Sequence, residues 1–293
     1  MSAHKTAEAG HAVVAVNVFV NGPGGGNPVP FVPDAQGMTA EAMQSVARHY
    51  GHESAFMVQP TTSDADYALR YFVPNHEMEM CGHATVGAFW VLRQRGDWIT
   101  PRARVQTLSG IVDISWDAAR QRVWISQPAC VVTPVERGVR ERIARVLNLA
   151  DDDCDIVNAS TSRIKTLIRL RGREVLDRLG PEAGQVREVC EAAESTGLYP
   201  YTMDAGRISA RQFPRASGYL EDAATGIAAA ALWGYLAGQA SVAIGQPQSP
   251  QPTTIYQGEA MGRPSAIDLL PRFDDDGQPM GVWLSGHVEW TDL

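Results

Sequence analysis

Cysteine is scarce in this chain: Cys81, Cys130, Cys154 and Cys190 are the four thiols among 293 residues, with no CxxC spacing. That number is too small for a disulfide scaffold, and reduced thiols in a cytoplasmic protein are predicted. The seven histidines form neither HxH nor HExxH spacing, so spacing alone predicts no metal site. Basic residues are also short, 25 against 33 acids, for a net charge of −8. A field of that sign repels phosphate backbones and argues against nucleic-acid binding. Long apolar runs are missing too. The longest, residues 227–237, falls short of the ~20 residues that span a bilayer, so no membrane partner is predicted. The opening stretch, MSAHKTAEAGHAV, has no secretory apolar core and reads as a frayed leader over residues 1–12. The glycine loop GPGGG at 22–26 lacks the GxGxxG order, which removes a dinucleotide site and leaves no cofactor to predict.

What the sequence has is an ample core, with hydrophobic residues at 44 % and charged residues at 20 %. Its length predicts one large or two medium domains. Residues 13–20 (VVAVNVFV) are β-branched and read as a strand running into a glycine-rich loop at 21–28. A short strand over 30–33 precedes an amphipathic helix over 39–50, with Thr39 as its cap. Further strands are predicted at 54–58, 67–73, 104–107, 111–116 and 122–127. After Pro128 the pattern restarts, with helices over 136–147 and 181–194. Strands are expected at 154–158, 165–170, 199–203, 207–213, 254–257, 266–270 and 282–288, and the proline-rich stretch 246–252 reads as a loop.

Two helices stand apart. Residues 81–85 open one that is apolar all round as far as Leu92, and residues 221–226 open another, 227–237. A helix with no polar face must be buried on all sides. Ala84-Thr85 and Ala224-Thr225 begin them after short polar turns, 140 residues apart (85 to 225). This echo predicts two halves, each a curved sheet around one buried helix. Helix starts present free N–H groups and partial positive charge. Facing one another across a cleft, two such starts would hold a carboxylate, with Thr85 and Thr225 adding hydroxyls. The alternative is that each threonine merely caps its own helix.

Gly26-Asn27-Pro28, Glu53-Ser54-Ala55-Phe56, Gly82-His83-Ala84-Thr85-Val86-Gly87 and Glu221-Asp222-Ala223-Ala224-Thr225-Gly226 follow in order, with Gln257-Gly258 and residues 261–265 later. In that order and spacing they resemble the PhzF-like phenazine-biosynthesis family, within the diaminopimelate epimerase fold group. The resemblance implies an α+β fold of two pseudo-symmetric epimerase-like domains, each a curved, mostly antiparallel sheet or half-barrel around a buried helix. The first domain would span 13–128, with a returning strand from 281–293, and the second 129–280. It also implies a cofactor-independent isomerase that shifts a proton on a small carboxylate-bearing substrate. Glu53 would be the general acid/base, with His83 and Asp222 supporting it. Gly82, Ala84, Thr85, Thr225 and Gly226 would hold the substrate carboxylate, and Asn27 and Ile227 would line the cleft. For Glu53, His83 and Asp222 the residues alone leave a second reading: an exposed strand-end acid, a core histidine and a helix cap.

The chain departs from the family pattern at three points. Ala84 and Ala223 replace prolines, Ile227 replaces a serine, and Cys81 resembles the first catalytic thiol of diaminopimelate epimerases and proline racemases. A thiolate beside a helix start has a lowered pKa and can act as a base. The position of a second thiol falls near Ala223, so it is missing. Racemisation of an amino or imino acid through Cys81 is therefore a second reading, with a small buried packing residue as the plain one. A non-catalytic acid-binding protein is a third. A homodimer is expected only because soluble enzymes in general commonly form one.

Overall fold

A computed structural model describes residues 5–6, 10–149 and 155–293. Cys154 lies outside the described residues, as does most of the leader expected over 1–12. Within that leader Lys5 and Thr6 pair antiparallel with Val13 and Ala12, which corrects the expectation of a wholly unstructured segment. The chain divides into two compact units. The first holds residues up to Ser126 together with Leu284–Leu293, and the second holds Gln127–Trp283.

In the first unit the β-branched strand Ala12–Val18 lies between two antiparallel partners, Asn27–Val32 and Val288–Trp290. Asn27–Val32 runs parallel to Ser54–Val58, because helix α1 (Ala40–Tyr50) carries the chain back between them. Thr39 Oγ1 accepts from Ala42 N at 3.2 Å and caps α1 as its position in the sequence predicts. Ser54–Val58 pairs antiparallel with Tyr67–Phe72, which runs parallel to Arg102–Thr107 across helix α2 (Gly82–Arg95). Asn27 and Pro28 belong to a strand rather than to the expected loop, since Asn27 pairs with Val18 and Pro28 with Asn17.

Almost every residue of α2 from Gly82 to Leu92 is buried, as a helix without a polar face requires. Gly87 lets it settle on the first strand: a Cβ there would stand 2.9 Å from Val18 Cγ2 and 3.0 Å from Val16 Cγ2. Met43, Val46 and Ala47 of α1 pack with Phe56 and Phe72 in a separate cluster.

The second unit repeats the same order of pairings. Asp155–Ser160 is antiparallel to Ile164–Arg169, which is parallel to Gly197–Asp204 across helices α4 (Arg173–Arg178) and α5 (Ala183–Ala192). Gly197–Asp204 is antiparallel to Arg207–Ala210, and that strand is parallel to Thr253–Gln257 across helix α6 (Gly226–Gly238). In both units a hairpin follows the buried helix. This shared series (antiparallel, parallel, antiparallel, parallel, antiparallel) is the internal duplication that the two apolar helices foreshadow. Four consecutive alanines, Ala228–Ala231, are fully buried in α6, and their small side chains bring the helix close to its sheet. Helix α3 (Arg137–Val146) and α5 supply Ile143, Val186, Val189 and Cys190 to a second hydrophobic cluster with Leu198 and Phe213.

Several elements differ from the expectations. Val131–Pro134 adds an exposed strand and α4 a short helix, neither long enough to show a period. The stretch 246–252 holds a small ladder, Gly245–Gln246 against Ser249–Pro250, instead of a plain loop. The strand expected over 207–213 is two, Arg207–Ala210 and Phe213–Pro214. Among the described residues no helix is long and apolar enough to cross a membrane.

Candidate active site

Glu53 ends the short connection from the left-handed cap of α1, Gly51, into the strand Ser54–Val58. Its carboxylate turns inward, with a side chain only 13 % exposed. The Cys81 thiol donates to Glu53 Oε2 at 2.9 Å. His83 Nδ1 lies 3.4 Å from that same oxygen and 3.4 Å from Cys81 Sγ. Cys81 and His83 are each 3 % exposed. One carboxylate, one thiol and one imidazole thus form a compact triangle at the start of a buried helix. His83 Nε2 is buried and has no hydrogen-bond partner, a polar valence left unmet.

Helix geometry explains why the triangle forms there. Cys81, in extended conformation, is the N-cap of α2, and its carbonyl accepts Thr85 N at 3.0 Å. The N–H groups of Gly82, His83 and Ala84 therefore have no acceptor within the helix. Their partial positive charge makes this helix start a favourable place for an anionic group of a ligand. Thr85 sits one turn further in, not at the helix start as expected. Its hydroxyl lies 2.7 Å from Cys81 O and 2.7 Å from the phenol oxygen of Tyr71, both inside the unit. Burial pushes the Tyr71 phenol above its usual range, against the opposing pull of its hydrogen bond with Thr85.

In the second unit Thr225 is the N-cap of α6, with Ala229 N bonded to its carbonyl at 3.0 Å. The structural counterpart of Thr225 is therefore Cys81. The repeated Ala-Thr pair is out of step by one turn, because Thr85 lies inside its helix and Thr225 outside. This corrects the placing of a second thiol position near Ala223: a hydroxyl stands there, at Thr225, and Ile227 occupies the place of His83. The duplication kept the frame and changed the chemistry.

Thr225 donates to the Asp222 carboxylate in a short hydrogen bond. Gln257 clamps this turn: its Oε1 accepts from Thr225 N at 3.2 Å and from the Tyr199 hydroxyl at 3.0 Å. Its Nε2 donates to Asp222 O at 2.7 Å. Sequence reasoning assigned no role to Gln257 or Tyr199. Gly258 was one available signal, since its φ of +80° and a Cβ that would fall 2.6 Å from Ala223 O both demand glycine. Burial first, and then the charge of Asp222, raise the Tyr199 phenol. Glu221 has a structural partner: both its oxygens bind Arg211, at 2.8 and 2.6 Å. Asn27 is buried at the start of its strand, behind Gly26, whose φ of +84° turns the chain tightly against Val18 and Val20. Ile227 is buried in the first turn of α6.

The profile of the phenazine biosynthesis-like protein family matches residues 16–288. The chain belongs to that family. An uncharacterized isomerase of Deinococcus radiodurans is 32 % identical over 269 residues, covering 87 % of this chain and 84 % of the relative. The trans-2,3-dihydro-3-hydroxyanthranilate isomerase of Pseudomonas fluorescens is 27 % identical over 261 residues, 88 % and 89 % of the two chains. Among solved structures, a phenazine biosynthesis protein of the PhzF family from Bacillus anthracis superposes with a TM-score of 0.81. It is 25 % identical and covers 96 % of each chain. The fold is thus the α+β fold of the PhzF family, and the chain is an isomerase. The acid-binding reading without catalysis is set aside.

Proposed function

We propose that this PhzF-family isomerase shifts a proton between carbons of a small carboxylate-bearing substrate, with the Glu53 carboxylate as the acid/base and no cofactor. The observation that carries the reading is the enclosure of Glu53, 13 % exposed and in contact with Cys81 and His83 at a helix start. A carboxylate removed from bulk water gains basicity, which general-base chemistry near neutral pH needs. The anion formed on loss of a carbon-bound proton would be stabilised by the first-turn N–H groups of Gly82, His83 and Ala84. His83 Nε2, without a partner inside the protein, is suited to a polar group of the substrate. Thr85 enters the proposal as a brace rather than a ligand, since its hydroxyl already serves Cys81 O and Tyr71. Asp222, Thr225 and Gly226 enter on the motif they share with the family, with Gln257 fixing their turn. A carboxylate on the substrate is supported by the Pseudomonas fluorescens relative, whose name is that of an anthranilate-type acid isomerase.

Proton NMR in deuterated buffer with a panel of small unsaturated and cyclic acids tests this. The wild type should place deuterium on a substrate carbon and Glu53→Gln should not; equal exchange by the two would remove Glu53 as the base.

A second reading, racemisation through Cys81, is favoured by the 2.9 Å contact of its thiol with Glu53, which gives that thiol an internal proton acceptor. It predicts loss of optical rotation that Cys81→Ser abolishes. Persistent racemisation in that variant would refute it.

A further inference from the structure

We propose that Glu53, Cys81 and His83 form a three-ligand site for a thiophilic divalent cation of the zinc class. The three ligand atoms come from different chemical families (carboxylate oxygen, thiol sulfur and imidazole nitrogen) and all lie within 4.8 Å of one another. The combination selects among cations. A sulfur and a nitrogen suit zinc and cobalt, whereas magnesium and calcium require oxygen ligands.

The spacing is that of one face of a tetrahedron. Zinc bonds of about 2.3 Å to sulfur and about 2.0–2.1 Å to nitrogen and oxygen give ligand–ligand edges of about 3.3–3.6 Å. The sulfur–nitrogen and nitrogen–oxygen edges are both 3.4 Å. Only the sulfur–oxygen edge, at 2.9 Å, must open. That edge needs about 0.6 Å, and a small rotation of the Glu53 side chain supplies it. Three protein ligands leave a fourth position for water or a ligand carboxylate, the pattern of open rather than closed zinc sites.

The site is specific to this arrangement. Among the described residues it is the one group of three such side chains placed to hold a cation. The other described thiols differ. The Cys130 thiol donates to Ala231 O at 3.4 Å, and the Cys190 thiol is buried in the hydrophobic cluster of the second unit. Binding requires the thiolate, so the Cys81 proton leaves to solvent as the sulfur–metal bond forms. The atoms that hold the cation are those assigned above to proton transfer, so the cation and the reaction exclude one another. That consequence rests on the isomerase reading; the binding itself does not.

The test is a titration of the metal-free full chain with Co²⁺ under a phosphine reductant, without substrate, read by absorption. One equivalent should bring up a thiolate-to-cobalt charge-transfer band and the visible bands of tetrahedral cobalt, and Zn²⁺ should displace both. Excess Mg²⁺ should leave them unchanged. Cys81→Ser should abolish the charge-transfer band. It should also weaken binding by about 100-fold or more, above the 10–100-fold loss typical of outer-shell partners. Glu53→Gln, which keeps the thiol and the helix cap, should keep the band with weaker binding, and Cys130→Ser should match the wild type. Thermal melting confirms that each variant is folded. A band that survives Cys81→Ser, competition by Mg²⁺, or no band in folded wild type would each overturn the site. Because no substrate is present, these outcomes are separate from the deuterium exchange that tests Glu53 as a base.

Discussion

Glu53 and Cys81 stand 28 residues apart in the chain, yet the Cys81 thiol donates to the Glu53 carboxylate at 2.9 Å. The two reach each other because one ends the turn into the strand Ser54–Val58 and the other caps the helix buried against that sheet. A thiol giving its proton to a carboxylate leaves that oxygen partly occupied before substrate arrives. Substitution at either residue therefore changes the other.

The two residues separate the two chemistries. With Glu53 as the base, Glu53→Gln should lower the exchange rate by roughly 10²–10⁴-fold, the usual worth of a general base. Cys81→Ala should cost less than Glu53→Gln, at most about 10–150-fold, since one hydrogen bond to a charged group is worth ~1.5–3 kcal/mol at most. With Cys81 as the base the order reverses. Parallel initial rates of deuterium incorporation decide between them, and a Cys81→Ala loss equal to that of Glu53→Gln would count against a carboxylate-only mechanism.

Glu221 lies beside Asp222 in the same motif, but its contacts are structural. Its two oxygens grip Arg211, with side chains 11 % and 9 % exposed, while Arg211 Nη1 also reaches the carbonyls of Leu176, Asp177 and Leu179. Removing one partner of a buried pair leaves the other charge uncompensated, typically at a cost of about 3–5 kcal/mol. Glu221→Gln should fall near the low end, about 3 kcal/mol, because the three carbonyls remain. Urea unfolding measures it. A stable variant with lost exchange activity would instead place Glu221 in the chemistry.

The two buried helices were legible because a wholly apolar helix has one physical solution, and Thr39 was legible because a cap acts on its nearest neighbours. Glu53 was legible only through the family motif, since nothing within a few residues says that its side chain turns inward. The exact start of α2 was hidden. No residue between Cys81 and Thr85 forces a boundary, and the threonine that resembled a cap bonds backward to Cys81 O. Gln257 was hidden for a different reason: its partners, Asp222 and Thr225, are 35 and 32 residues away, and a local pattern carries no such distance.

The Thr85 hydroxyl offers a test of that backward bond. Thr85→Val keeps the shape but leaves the buried Tyr71 hydroxyl without its partner. The expected loss is ~1–3 kcal/mol, the range for a buried polar group left unsatisfied. Tyr71→Phe removes the orphan as well, and Thr85 retains Cys81 O, so its loss should be the smaller of the two, ~1 kcal/mol. Equal losses in urea unfolding would show that the tyrosine hydroxyl finds another partner.

Alkaline stability should report on Cys190. Burial in the second unit pushes its thiol up to about 12 from an ordinary 9.0, against the opposing pull of Lys165 and Arg215. A raised folded value means that the folded chain holds the proton more tightly than the unfolded chain. The stabilisation is therefore complete below pH 9 and is lost as the pH climbs toward 12. Within that window the unfolded thiol ionises and the folded one does not, so stability should fall with a slope approaching about 1.4 kcal/mol per pH unit from this group. The buried phenols of Tyr71 and Tyr199 are raised as well, from an ordinary 10.0, so they add to the decline only from about pH 10 upward. Between pH 9 and 10 the difference in slope between wild type and Cys190→Ala, from urea unfolding under reductant, isolates the thiol. The variant should be less stable at pH 7 because it leaves a cavity, and its curve should be the flatter one. Parallel curves would mean that the Cys190 thiol ionises in the folded protein as readily as in the unfolded one, and that the cluster of Ile143, Val186 and Val189 does not exclude water from it.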